Sequence, residues 1–281
     1  MENLEPRILD EFPKHHQLLE RAVIHLQGDD RVVALVLGGS IAKSAMDFYS
    51  DIDLYIITED EFFDTLFAER HALADHTGTA WFRFIADHNP GGEHDYIVLY
   101  PGPVKIDFMY CRASDVAPAP KWTHCLILKD HEAFMAGIRS RSQDLVPPQP
   151  EPEMILALNQ KFWTWCWYVF GKIVRGEHWM ALAGIHAVRS MAILPMLAWA
   201  KGLPQEGYRR LERKVTAGEQ PLLAATICGL QPAALSAALE AEMVLFGKLR
   251  ERVFRRFDLS YEPGPEQKLQ QEMRRRASAW S

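Results

Sequence analysis

The stretch "GGSIAKSAMDFYSDIDLYII", residues 38–57, decides the reading of this chain. It follows the apolar run VVALVL (32–37) and closes on a second one, so a glycine-rich turn joins two strand-like segments. Side chains alternate along a strand. In DIDLYII this puts Asp51, Asp53 and Tyr55 on one face and Ile52, Leu54 and Ile56 on the other. Two carboxylates held that close repel each other unless a cation lies between them, and a divalent metal resolves the conflict. Magnesium suits the donors, because it takes hard oxygen ligands and is commonly held by one or two carboxylates together with substrate phosphates.

A third carboxylate stands in VKIDFMY (104–110), where Asp107 interrupts an apolar strand pattern. Beside DIDLYII it would join the same site, as a metal ligand or as the base that accepts a hydroxyl proton. Taken alone it reads equally as an edge-strand carboxylate paired with Lys105. At the turn, Gly38, Gly39 and Ser40 allow close backbone approach to a ligand and offer N–H groups to phosphate oxygens. The G-x-x-x-x-G-K-[ST] phosphate loop is absent from the sequence.

Further apolar runs at 79–85, 95–100 and 124–128 extend the strand pattern, and flanking segments 9–28 and 59–78 show helical spacing. VPPQPEPE (146–153) places four prolines between polar residues and reads as a stiff linker. Beyond it the apolar spacing turns helical. The expected architecture is α+β: a mixed-sheet domain over 1–145 followed by an all-α helical bundle over 154–281. Charge divides at the same place. Residues 1–150 carry 13 Lys and Arg against 24 Asp and Glu, whereas 151–281 carry 18 against 13. The acidic half disfavours binding of long nucleic acid, which rests on basic residues neutralising phosphates, and suits cations.

No leader pattern is read in MENLEPRILDEFPKHH, and the apolar stretch 180–200 is interrupted by His186, Arg189 and Pro195, so a cytoplasmic protein without a membrane span is expected. The four cysteines show no metal-ligand spacing and read as reduced thiols. Trp163, Trp165, Trp167 and Trp179 read mainly as core, with one of them a candidate for stacking on a ring. Lys161, Lys172 and Arg175 share one side of a helix, and Lys172 is the first candidate for contacting a triphosphate.

The order of Gly39-Ser40, Asp51-Ile52-Asp53 and Asp107 resembles the nucleotidyltransferase superfamily with a DNA polymerase beta-like catalytic core. The two-part layout is similar to the antibiotic nucleotidyltransferases that adenylylate aminoglycosides or lincosamides. At the turn, Lys43, Ser44 and Ala45 depart from the small residue and arginine of many relatives. The resemblance implies Mg2+ on Asp51 and Asp53, completed by Asp107, with ATP or another nucleoside triphosphate as co-substrate held by Gly39, Ser40 and Lys172. A nucleoside monophosphate, AMP in the first instance, would pass to a hydroxyl of a small molecule with release of pyrophosphate. Modification of a protein acceptor and a non-catalytic nucleotide-binding role are the alternatives, and a monomer or homodimer is compatible with either.

Overall fold

The computed structural model describes residues 11–86, 94–145 and 149–278. Residues 1–10, where the leader was sought, and 146–148 of the proline-rich stretch lie outside the described residues. The chain divides into two compact units, Met1–Val146 and Pro147–Ser281.

In the first unit, helix α1 (Pro13–Gln27) leads into strand β1 (Val32–Leu37), the short helix α2 (Gly39–Ala42) and β2 (Ile52–Thr58). The acidic segment at 59–78, read as one helix, folds as a 3-10 turn (Asp60–Phe62) and two helices, α3 (Phe63–Ala68) and α4 (Arg70–Thr77). Asp60 leaves the helical pattern to accept the backbone N–H of Ser114. Strands β3 (Phe82–Ile85), β4 (His94–Tyr100), β5 (Val104–Arg112) and β6 (Leu126–Asp130) follow, and α5 (Phe134–Gln143) ends the unit.

The six strands form one mixed sheet in the order β3-β4-β5-β2-β1-β6. All neighbours pair antiparallel except β2 and β5, which run parallel at its centre. One sheet face packs on α1, α3 and α4 through a core that includes Leu19, Val23, Leu35, Leu54, Phe63 and Phe108. Ile52, Leu54 and Ile56 are fully buried there, as the alternation in DIDLYII requires. The opposite face has a smaller core where Trp122 and α5 cover it, around Ala34, Val36 and Ile57. Its remaining part carries the acidic residues.

Among its described residues the second unit is built of helices and turns with no strand: α6 (Pro152–Val174), α7 (His178–Val188), a π-helical turn (Arg189–Ile193), α8 (Leu194–Lys201), a 3-10 turn (Leu211–Arg213), α9 (Gln220–Ala224), α10 (Pro232–Arg256) and α11 (Gly264–Ser278). Gly202 ends α8 in the left-handed conformation at φ +65°, and Pro232 opens α10. The apolar run His178–Lys201 is long and apolar enough to cross a membrane, with a mean hydropathy of 1.5 over its most apolar 18 residues, 44% of which are buried inside the unit. Ile185, Ala192, Met196 and Leu197 from this run join the unit's core. Among the tryptophans, Trp163 is buried, Trp165 is partly buried, and Trp167 and Trp179 are exposed. Phe162 stacks on Phe246 with ring centroids 3.7 Å apart.

Glu242 lies fully buried in this apolar core, and both of its carboxyl oxygens lack a hydrogen-bond partner among the described residues. Burial pushes its pKa up to about 9 against the opposing pull of Arg189. The folded unit therefore keeps a proton that the unfolded chain releases above the ordinary value of 4.5. Stability from this group is full below that value and is lost as pH rises toward about 9. Urea denaturation at stepped pH is expected to show the wild-type midpoint falling between about pH 5 and 9, and Glu242→Gln flattening that fall.

Candidate active site

The site is built at the point where β1 hands over to β2. Gly38 donates its N–H to the carbonyl of Asp53 at 2.9 Å, which ties the turn to the second strand. Gly39 has φ +60°, a conformation that favours glycine, and a Cβ built on it would stand 1.7 Å from Asp53 Oδ2. A Cβ on Gly38 would meet the Tyr55 ring at 2.9 Å. The two glycines thus let the backbone lie directly against the Asp53 and Tyr55 side chains. The Ser40 hydroxyl is buried and has no hydrogen-bond partner among the described residues.

Between turn and strand, Asp47 organises the loop. Its Oδ1 accepts the Tyr49 N–H at 2.9 Å and the Ser50 hydroxyl at 3.2 Å, while Ser50 Oγ accepts the Asp47 N–H. The Ser50 carbonyl is also held by His15 Nε2 at 3.0 Å. These bonds fix the residue immediately before Asp51.

The parallel pairing of β2 with β5 sets Asp53 opposite Asp107 and Ile52 opposite Ile106. Neighbours in register share a face, so both carboxylates stand on the acidic side of the sheet. With Asp51 they form a group in which one oxygen from each residue lies within 4.8 Å of the others. Three hard oxygen donors at this separation suit a divalent cation such as magnesium or manganese. The turn leaves room for the Asp53 carboxylate, since any side chain at Gly39 would fill the space it takes.

Lys105 completes the cluster. Its ammonium donates to Asp51 Oδ2 at 2.8 Å and to Asp107 Oδ2 and Oδ1 at 2.7 and 2.9 Å. Burial raises the Asp107 pKa, with the Lys105 contact opposing it. Burial also acts to lower the Lys105 pKa, but its bonds to Asp107 and Asp51 outweigh that effect and raise it. Both shifts describe one partly desolvated ion pair with an excess of negative charge. A second lysine, Lys121, packs over the Tyr55 ring at 5.2 Å and the Trp122 ring at 4.7 Å, and burial lowers its pKa.

Gly39, Ser40, Asp51, Asp53 and Asp107 therefore come together in the first unit. Lys172 belongs to the second, where its ammonium donates to Glu177 Oε2 at 2.6 Å and lies 5.1 Å from the Tyr168 ring centroid. The edge-strand reading of Asp107 is corrected, because β5 lies inside the sheet between β4 and β2. The pairing with Lys105 is present but extends to Asp51. That extension was within reach of the sequence, since Lys105 stands two residues before Asp107 and so on the same face. Lys121 lies in a 3-10 turn with no periodicity to mark it.

A model of the streptomycin adenylyltransferase family matches residues 14–274. Among solved structures, the chain is similar to an aminoglycoside 6-adenyltransferase from Bacillus subtilis, with 16% identity, coverage of 92% of this chain and 97% of that one, and a TM-score of 0.43. It is also similar to a nucleotidyltransferase-like protein from Exiguobacterium sibiricum, with 10% identity, coverage of 86% and 77%, and a TM-score of 0.39. No curated protein matches the chain.

Gly39→Ala should cost about 1–2 kcal/mol from the left-handed backbone alone, with a further loss from displacing the Asp53 carboxylate. Gly28→Ala is the control, because its φ is −85° and a Cβ there meets nothing within 4 Å. Urea denaturation of the two variants should show a lowered midpoint for the first and no loss for the second.

Proposed function

Because the chain belongs to the streptomycin adenylyltransferase family, we propose that this nucleotidyltransferase moves AMP from ATP to a hydroxyl of a streptomycin-type aminoglycoside, with a divalent metal and with release of pyrophosphate. The observation that carries the reading is the Asp53–Asp107 register, which gathers three carboxylates against a glycine turn. The family match runs through both the sheet unit and the helical unit. That span supports a small-molecule acceptor over a protein acceptor. The excess of acidic residues in 1–150 favours a cationic acceptor, as an aminoglycoside is.

In this proposal Asp51, Asp53 and Asp107 hold the metal. When bound, the metal supplies positive charge to the attacking and leaving oxygens of an in-line displacement at the α-phosphorus. The Gly38–Ser40 turn admits a phosphate close to the backbone, and the buried Ser40 hydroxyl, without a partner among the described residues, donates to it. Asp107, whose burial makes it more basic than an exposed carboxylate, takes the proton of the acceptor hydroxyl. The hydroxyl oxygen then forms the new bond to phosphorus while the bond to pyrophosphate breaks. Lys121, beside the Tyr55 ring on the face that carries Asp53 and Asp107, is assigned to the triphosphate.

Pyrophosphate release with ATP and Mg2+ is expected to depend on added streptomycin, and to stop on chelation with EDTA and return with Mg2+. Asp51→Asn and Asp53→Asn should each lower the rate on the order of 10²-fold or more. Acceptor-independent release, or full activity in both variants, would reject the assignment.

A further inference from the structure

Lys105 directs its ammonium at three oxygens, Asp51 Oδ2, Asp107 Oδ1 and Asp107 Oδ2, all within 2.7–2.9 Å. An ammonium has three N–H donors, so these contacts use its whole capacity. The same two residues supply two of the three donors in the metal-binding group. A magnesium ion takes its oxygens at about 2.0–2.1 Å. Asp51 and Asp107, which would hold such an ion, are the residues the ammonium now holds, and two cations drawn to the same carboxylates repel each other. The two cations therefore compete for these oxygens.

The charge balance leaves room for a divalent ion in this competition. Three carboxylates with one lysine leave a formal charge of −2, which one divalent ion cancels without displacing the lysine from the neighbourhood. A displaced ammonium needs a new acceptor, since its side chain is only 38% exposed and starts from a strand in the middle of the sheet. A nucleoside triphosphate brings several anionic oxygens to the same face. The four-carbon stem lets the ammonium move while the backbone stays in register.

We propose that Lys105 is the resident counter-cation of the carboxylate site: it holds Asp51 and Asp107 until a divalent ion displaces it, and the phosphates of the nucleotide then take it up. The inference rests on the metal-binding reading of the three aspartates. Metal and nucleotide consequently bind cooperatively, each removing a cost from the other. The lysine acts as a positioning residue, which keeps the carboxylates together and sets the order in which ligands enter.

The test is Mn2+ binding, followed by the electron paramagnetic resonance signal of free Mn2+, with and without α,β-methylene-ATP. Wild-type protein should bind Mn2+ at least about tenfold more tightly with the nucleotide analogue present. Lys105→Met should bind Mn2+ alone about tenfold more tightly than wild type and lose most of the gain from nucleotide. Lys105→Gln should repeat this result and takes its place if the methionine variant does not fold, while Lys105→Arg should return toward wild type. A merely structural lysine would weaken metal binding on removal, so unchanged or weaker Mn2+ affinity in both neutral variants overturns the inference. Asp53→Asn separates the two levels of the argument. If it binds Mn2+ as wild type does under every condition, the metal site itself fails; if it loses Mn2+ while the neutral Lys105 variants stay like wild type, only the role of Lys105 fails.

Discussion

Repulsion between Asp53 and Asp107, held abreast on adjacent parallel strands, is the constraint around which the sheet unit is arranged. Two like charges within 4.8 Å of each other repel by roughly 3 kcal/mol or more at an effective dielectric of about 20. The strands cannot slip to relieve it, because a shift of one residue would move Ile52, Leu54 and Ile56 out of the core. Hydrophobic burial on one face therefore forces charge together on the other. Lys105 is the local answer, and the Gly38–Gly39 backbone stays close because no side chain intervenes.

Much of this arrangement was legible in residues 51–57, where strict alternation names both faces, and at Asp107, a charge placed where a core residue would otherwise stand. The partnership between β2 and β5 was not. Local pattern says which segments are strands, but not which strands meet or in which direction, and the sole parallel pairing of the sheet joins segments far apart in sequence. The contact between Gly39 and Asp53 was hidden for the same reason, since glycine pairs mark turns without saying what they touch. The segment 59–78 divides at Asp60–Phe62, which winds as a 3-10 turn, and at Glu69, which ends α3, opens α4 and pairs with Arg31, a contact that no helical period reveals. Lys172 is a phosphate-binding candidate on helical spacing, and its contact with Glu177, five residues further on, lies past the end of the helix where that spacing does not reach.

The helical unit handles buried charge in two different ways on one helix. Leu235, Leu239, Leu245, Phe246 and Leu249 mark the buried stripe of α10, and both Glu242 and Arg250 fall within its three-to-four spacing. Arg250 is compensated by Glu266, Tyr261 and Asn159. Glu242 has no such set among the described residues and is neutralised by a proton instead. Both positions could be read from the helical period, which places a residue inward whatever its chemistry. How each charge is met depends on side chains from other helices.

The parallel pair also sets a schedule for folding. β1–β2 and β4–β5 are antiparallel neighbours joined by connections of fourteen residues or fewer, so each can close early. Asp53 and Asp107 lie 54 residues apart, and they meet only when these two preformed pieces dock along β2 and β5. The pairing that sets the two carboxylates abreast is thus the same one that brings Ile52, Leu54, Ile106 and Phe108 into one core, so charge and apolar surface come together at a single seam of the sheet.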